Sequence, residues 1–307
     1  MRAFVTGGGG FLGRTLVPRL RGQGWTIDAP GSRECDLTKA EVLQGWKERY
    51  DWIFHLAAWT QAGDFCLRHP GEQWVLNQRI NTNVLAWWQE RQPQAPVVLI
   101  GTSCAYDPAL PLKEENYLRG EPTPSLYTYA MTKRMLLVGA RALGKQYGLS
   151  SVTFVPSTLC GPYYHEDGRQ MHFIYDVVRK IREAGKTGQP AMLWGDGTQR
   201  REVIHIEDFV DGMQALLPEA TPEAPVFNLG AGKDYEIREF AGECCRLLGV
   251  DTSLVQWDTT KYVGARAKCL ETGVVHGRIA SWKARPLHDC LQDVIGAFSL
   301  KQNSHHA

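Results

Sequence analysis

Short hydrophobic runs alternate with longer amphipathic stretches along the first half of the chain. The runs are Ala3-Phe4-Val5, Trp25-Thr26-Ile27, Asp51 to His55, Val97 to Ile100 and Val152 to Val155. Each is too short for a helix and is bounded by Gly, Pro or Asp, which favours strands buried on both faces. Between them, Phe11 to Leu20 carries apolar residues at Leu12, Leu16 and Leu20, and Lys39 to Arg49 and Gln73 to Gln89 also read as helices. Repeated strand–helix units predict an α/β fold, a Rossmann-type doubly wound parallel sheet with its ligands at the carboxyl ends of the strands.

After Val155 the rhythm changes. Pro156, Gly161-Pro162, Gly185 to Pro190 and Gly195-Asp196-Gly197 punctuate the chain. Strand signals recur at Ala191 to Trp194 and Val226 to Leu229, and helix signals at Met171 to Glu183, Glu207 to Leu217 and Glu236 to Leu248. We expect a dinucleotide-binding domain over residues 1–155, with later returns near 203–230. Residues 156–307 then form mainly a smaller, discontinuous C-terminal substrate-binding lobe. The polar tail from Lys301 is expected to fray.

Composition narrows the function. Hydrophobic residues make up 43% of the 307 and charged residues 22%, enough for a core and too apolar for disorder. Lys plus Arg is 34 and Asp plus Glu 33, a net charge of +1, so no strong field gathers nucleic acid or an anionic membrane. No run approaches the roughly 20 apolar residues that span a bilayer, and the N-terminus lacks the pattern of a leader. Eight cysteines without a CxxC pair read as reduced thiols rather than a metal site. A cytoplasmic protein without nucleic-acid or membrane partners is therefore expected.

Thr6-Gly7-Gly8-Gly9-Gly10-Phe11-Leu12-Gly13 joins the first strand to the first helix. Glycines at 7, 10 and 13 let the backbone turn tightly and approach a pyrophosphate, which the helix N-terminus then holds. An NAD site usually ends its second strand in a carboxylate, but Asp28 lies too early. Ser32 and Arg33 stand where a 2′-phosphate would sit, so NADP(H) is favoured over NAD(H). Asp36-Leu37 faces the adenine edge in this reading.

Tyr129 and Lys133 are four residues apart in a helix-like segment and share a face. A tyrosine with a pKa of about 10 needs a shift of about three units, roughly 4 kcal/mol, to act freely at neutral pH. One ammonium at ~4 Å supplies about that much at an effective dielectric of about 20. Thr102-Ser103-Cys104-Ala105-Tyr106 follows the Val97–Ile100 strand and offers hydroxyls at its carboxyl end.

With these residues in order, the sequence resembles the extended short-chain dehydrogenase/reductase superfamily. The resemblance rests on Thr6-Gly7-x-x-Gly10-x-x-Gly13, His55-Leu56-Ala57-Ala58, Asn83, Thr102 with Tyr106, Tyr129-x-x-x-Lys133 and Gly161-Pro162. It extends over roughly residues 2–298. Gly101 to Tyr106, His172-Phe173-Ile174, Leu193 to Thr198, Arg201 to Asp208 and Lys268 are similar to the branch typified by GDP-L-fucose synthases. That branch epimerises C3 and C5 of a nucleotide-linked 4-keto-6-deoxy sugar and reduces C4. The resemblance implies Thr102, Tyr129 and Lys133 for hydride transfer, with Tyr129 moving the proton, and Cys104 with His172 as the acid/base pair of epimerisation. A thiol and an imidazole suit that task, having pKa values of about 8.5 and 6.5. It also implies Ser103, Trp194, Arg201 and Lys268 for the nucleotide sugar. Gly7, Gly10, Phe11, Leu12, Gly13, Leu56, Ala57, Ala58, Asn83, Tyr129 and Lys133 fall to the cofactor, and a homodimer is implied. The sequence departs from the branch at Gly9, at Thr158 to Cys160 and over Tyr163 to Gly168.

Other features read as structural: His205 as a helix cap, Cys244-Cys245 as core, Trp87-Trp88 as packing or a dimer face, and Lys180, Arg182 and Lys186 as a solvated helix face. Two further functions fit the same motifs. One is a 4-epimerase or C4 dehydrogenase that keeps NAD(H) bound and leaves C3 and C5 alone. The other is a non-catalytic dinucleotide-sensing module.

Overall fold

Every short apolar run of the first half forms a strand of one parallel sheet. The structure is a computed structural model that describes residues 1–61, 65–162, 171–261 and 263–303. The strands are β1 (Arg2–Thr6), β2 (Thr26–Asp28), β3 (Trp52–His55), β4 (Val97–Ile100) and β5 (Ser151–Pro156). The helices between them are α1 (Phe11–Gly22), the short α2 (Phe65–Arg68), α3 (Pro70–Arg91) and α4 (Tyr127–Tyr147). Alternate residues of β1 face opposite ways, and both directions are apolar. Phe4 points into a core with Trp87 and Trp88 of α3 and Leu136, Leu137 and Ala140 of α4. Ala3 and Val5 point into a second core with Leu12, Leu16 and Leu20 of α1. Burial on both faces is why the strands read as continuous apolar runs.

The second half comprises β6 (Thr158–Cys160), α5 (Phe173–Thr187), β7 (Ala191–Trp194), β8 (Arg200–His205), α6 (Ile206–Ala215), β9 (Val226–Leu229), β10 (Asp234–Glu236), α7 (Ile237–Leu248), β11 (Val255–Asp258), α8 (Gly273–Arg278) and α9 (Leu287–Asn303). The large sheet runs in the order β2-β1-β3-β4-β5-β9, so a strand from beyond residue 155 closes its edge. α6 also returns, placing Phe209, Val210 and Met213 in the core under α1. The remaining strands form two small sheets, β10-β8-β6 and β11-β7, which with α5, α7 and α9 enclose a third core.

Three expectations change. The helix expected over Lys39 to Arg49 is only a 3₁₀ turn at Ala40–Gly45. It stops because Trp46 and Tyr50 turn inward onto the Phe4 ring, with centroids 5.3 and 5.4 Å away. The tail expected to fray from Lys301 is helical through Asn303, and residues 304–307 lie outside the described residues. Trp87 and Trp88 are buried, and Trp88 Nε1 donates to Ala95 O at 2.8 Å, so they pack the core and form no dimer face. Among the described residues no helix is long and apolar enough to cross a membrane, and no cluster of ligating side chains could hold a metal.

The chain reverses direction across the sheet between β1 and β3, which opens a crevice beyond their carboxyl ends. The glycine loop leaves β1 there, Leu56 to Ala58 leave β3, and Thr102 to Cys104 leave β4.

Candidate active site

At the turn after β1, Gly7 adopts φ +69°, and a Cβ there would lie 2.9 Å from the Ala57 nitrogen. Gly13 sits so close beneath the loop that its Cβ would be 2.5 Å from Gly7 O. These two glycines pull α1 against the turn. Gly9 has open space where a side chain would be, and Gly10 caps α1 with no side-chain bond to its first N–H groups. Those donors and the positive helix end therefore face a cradle that a pyrophosphate fits. Phe11 and Leu12 line the cleft beside it. So does Arg14, whose Nε donates to Gly9 O at 2.9 Å; the sequence analysis missed this cation, although its place one turn into the helix was a signal.

Asp28 is engaged within the protein. Its Oδ2 pairs with Arg2 at 2.9 Å and accepts from the Tyr50 hydroxyl at 2.9 Å. Ser32 and Arg33 are exposed just beyond β2, and Arg33 has no side-chain partner among the described residues, which suits a 2′-phosphate. Asp36 accepts from Thr38 N and Oγ1 at 3.1 and 2.7 Å, shaping the next turn. Asn83 donates to Leu37 O at 2.8 Å, so it supports this loop from α3. Arg33→Ala should raise the KM for NADPH about tenfold, the worth of one exposed charge-assisted contact, and leave the KM for NADH unchanged. Steady-state kinetics with both cofactors checks this.

Behind the cleft, a hydrogen-bonded chain joins four elements. Ala57 N donates to Thr6 Oγ1 at 3.1 Å, and Thr6 Oγ1 and His55 Nδ1 are 2.9 Å apart. His55 Nε2 lies 3.1 Å from Asn81 Oδ1, and Asn81 Nδ2 donates to Thr132 O at 3.3 Å. Burial, with the nearby Lys133 charge, pushes the His55 imidazole down to about 4, so it stays neutral. It then donates from Nε2 and accepts at Nδ1 from the Thr6 hydroxyl. The chain fixes α4 against β1, β3 and α3. Asn81 escaped the sequence reading because its partners lie far away along the chain.

α4 presents Tyr129 and Lys133 to the cleft from one face, as their spacing requires. Lys133 Nζ stands 6.0 Å from the centre of the Tyr129 ring. The sequence argument asks this ammonium to pull the phenol down; the balance runs the other way. Burial, reinforced by Cys104, Tyr117 and Cys66, pushes Tyr129 above its ordinary value. Burial also brings Lys133 down to about 8. Desolvation dominates both groups, and Tyr129 is protonated at neutral pH.

Facing them, Thr102 caps the short turn Ser103–Ala105, accepting from Cys104 N at 3.3 Å, and its own N–H donates to the Tyr117 hydroxyl at 3.2 Å. The hydroxyl of Tyr106, beneath this turn, donates to Asn228 Oδ1 at 2.6 Å. Thr102, Ser103 and Cys104 all line the cleft. Burial alone would raise the Cys104 thiol, but the Lys268 ammonium, 2.9 Å from Sγ, overcomes it with help from Thr102 and Arg201, and the thiol falls below its ordinary value.

The second lobe supplies the opposite wall. His172 caps α5 and lines the cleft, as do Trp194 at the end of β7 and Arg201 on β8. Arg201 donates to Val263 O and Ala265 O at 2.7 and 2.6 Å and so fixes a loop at the rim. Lys180 corrects an expectation. Instead of lying on a solvated face, it lines the cleft, 2.8 Å from Asp176 and 5.5 Å from the centre of the Trp194 ring. Arg182 likewise turns inward, donating to Phe298 O at 2.8 Å. Glu202 is a further residue the sequence reading missed. It is buried at the cleft wall and accepts from Gly232 N and Leu270 N at 2.7 and 2.8 Å, and burial raises its carboxyl to about 7. His205 caps α6 as expected, its Nδ1 accepting from Glu207 N at 3.2 Å, and Cys244 and Cys245 are core. The divergent segment Tyr163 to Gly168 lies outside the described residues.

One cleft of about 1170 Å³ thus holds Gly10, Thr102, Cys104, Tyr129, Lys133, His172, Trp194, Arg201 and Lys268 along its walls. Arg33, Asp36 and Leu37 lie outside the cleft on the loop after β2, which Asn83 holds from α3.

Residues 3–230 match the NAD dependent epimerase/dehydratase family. The chain is 28% identical over 288 residues to a GDP-L-fucose synthase of Azorhizobium caulinodans, covering 92% of this chain and 90% of that protein. It is 26% identical over 277 residues to a GDP-L-colitose synthase of Yersinia pseudotuberculosis, covering 88% and 89%. A GDP-L-fucose synthetase of Naegleria fowleri bound to NADP superposes with a TM-score of 0.85 at 19% identity, covering 98% of this chain and 95% of that one.

Proposed function

This chain belongs to the NAD dependent epimerase/dehydratase family, and from that premise we propose that it is an NADP(H)-dependent epimerase/reductase of a GDP-linked 4-keto-6-deoxy sugar. The observation that carries the reading is the continuity of the cleft, which runs from the glycine loop past Thr102, Tyr129 and Lys133 to Trp194, Arg201 and Lys268. The similarity to GDP-L-fucose and GDP-L-colitose synthases over about nine-tenths of each chain supports the substrate class.

In this reading the glycine loop, Arg14 and Arg33 hold the dinucleotide. Bound NADPH supplies the hydride that reduces C4. Thr102 donates a hydrogen bond to the C4 oxygen, and Tyr129, protonated at neutral pH, gives that oxygen its proton. Protons at C3 and C5 are acidic because the C4 ketone takes up the electron pair left behind. Cys104 and His172 line the same cleft and provide a group to remove such a proton and a group to return one. Trp194 stacks on the base and Arg201 faces the diphosphate. Met135 and Val138, a turn apart on α4, are apolar and exposed, which supports reading the chain as half of a homodimer whose mass light scattering measures.

The test is turnover in D₂O. GDP-, UDP-, dTDP- and CDP-linked 4-keto-6-deoxy sugars are each offered with NADPH or NADH. We expect the GDP sugar with NADPH to turn over fastest, with deuterium entering at C3 and C5. Reduction without deuterium removes the epimerase half; tightly bound NADH with no NADPH turnover points to a 4-epimerase or dehydrogenase instead.

A further inference from the structure

Cys104 and Lys268 are 164 residues apart in sequence, yet Lys268 Nζ donates to Cys104 Sγ at 2.9 Å inside the cleft. The family resemblance gave Lys268 to the nucleotide sugar; the geometry gives its ammonium to sulfur. We propose that Lys268 is a positioning residue that holds Cys104 as a thiolate, so that the sulfur enters the reaction as a base already without its proton.

The described surroundings of Cys104 favour the thiolate. Among the described residues, the acidic groups that face it from neighbouring elements are Tyr129 on α4, Tyr117 on the loop below, and Cys66 on α2, and burial pushes all three upward, leaving them neutral. The cations that face it are Lys268 and, farther off, Arg201 on β8. A positive charge in a poorly solvated wall stabilises the acid it touches.

The position of Lys268 is itself secured. Leu270, two residues on, donates its N–H to Glu202 Oε2 at 2.8 Å, while Gly232 N binds Oε1 at 2.7 Å. Glu202, on β8, therefore ties the segment that carries the ammonium to the turn after β9. Next to Lys268, Cys269 has no cation bonded to its sulfur among the described residues; burial and the acidic neighbours Glu202 and Asp234 outweigh the charge of Arg200 and raise it to about 12. Two adjacent cleft-wall segments thus carry thiols of opposite character.

The use of this thiolate rests on the function proposed above, whereas its existence does not. In that use, Cys104 Sγ forms an S–H bond to the proton of the carbon beside the ketone. The C–H bond breaks and its electron pair moves onto the C4 oxygen as an enolate. Protonated His172 returns a proton to the opposite face, and exchange with solvent resets both groups.

Alkylation by iodoacetamide reads the thiolate directly. Cys104 labelling is followed by peptide mass spectrometry from pH 5 to 10, with Cys269 as the internal reference. In the wild type, Cys104 labelling should reach half its plateau well below the ordinary thiol range of about 8.5, while Cys269 stays nearly unlabelled. Lys268→Met should move that midpoint up by at least one unit and lower the labelling rate at pH 7 about tenfold or more. Lys268→Arg should restore most of the shift, which a loss of folding would not allow. A wild-type midpoint at or above about 8.5, or the same midpoint in wild type and Lys268→Met, overturns the proposal. Because no sugar is present, the outcome is independent of deuterium uptake. A low midpoint without wash-in would leave the thiolate standing and remove the epimerase.

Discussion

Replacing Tyr129 with Phe is expected to lower the turnover of C4 reduction by about 10²- to 10⁴-fold, the usual contribution of a positioned proton donor. The ring remains, so the cleft keeps its shape, and NADPH affinity should change by less than about twofold. The hydroxyl is the group lost, and its protonation state is what makes the prediction sharp. Burial raises the phenol, so it holds its proton throughout the neutral range. Reduction leaves negative charge on the C4 oxygen, and only a protonated donor can quench it. Without the donor, water must enter a wall shaped by Thr102 and Cys104. Deuterium exchange at C3 and C5 should survive, because it depends on the thiol and imidazole farther along the cleft. Single-turnover reduction and exchange, measured side by side, check the prediction. Full activity in Tyr129→Phe would remove Tyr129 from the chemistry altogether.

The parts of this molecule that were legible in sequence are those whose causes are local. Strands buried on both faces write themselves as apolar runs, and a glycine loop between strand and helix needs its glycines at fixed offsets. Gly7 and Gly13 meet backbone where a Cβ would sit, so no other residue type fits. Tyr129 and Lys133 share a helix face by spacing alone. What escaped was set by distant contacts. Trp46 and Tyr50 have a plausible helical rhythm, but their rings are claimed by Phe4 from β1. Lys180 looks like one more charge on a polar face until Trp194, from a separate strand, comes beneath it. Glu202 reads as an ordinary acid beside Arg201; its burial comes from the turn after β9 and from Leu270. Electrostatics was the least legible of all. The i, i+4 amine was correctly placed, but its effect depends on how much water the cleft excludes, and no local pattern records that.

Lys133 is where this matters most. It is buried, and no carboxylate pairs with it among the described residues. Its amine falls to about 8 through burial alone. The folded value lies below the unfolded value of about 10.4. The protein therefore bears an uncompensated buried charge below pH 8, and stability rises as pH climbs from 8 toward the unfolded value. Lys133→Met removes that charge with a side chain of similar length. It should melt higher than the wild type at pH 7, with the advantage shrinking above pH 8. Catalysis should respond in the opposite direction. Below 8 the ammonium carries a positive charge beside the Tyr129 ring, where the developing oxyanion is quenched, and above 8 it is lost. Wild-type kcat/KM for reduction should therefore fall as pH rises through about 8. The Lys133→Met variant should lose about 10²- to 10³-fold in kcat/KM and show no inflection there. A more stable, far slower enzyme with a flat profile is the joint signature, read from paired melts and pH–rate curves. If the variant instead melts lower and keeps the inflection, the charge on Lys133 serves the fold and some other group titrates near 8.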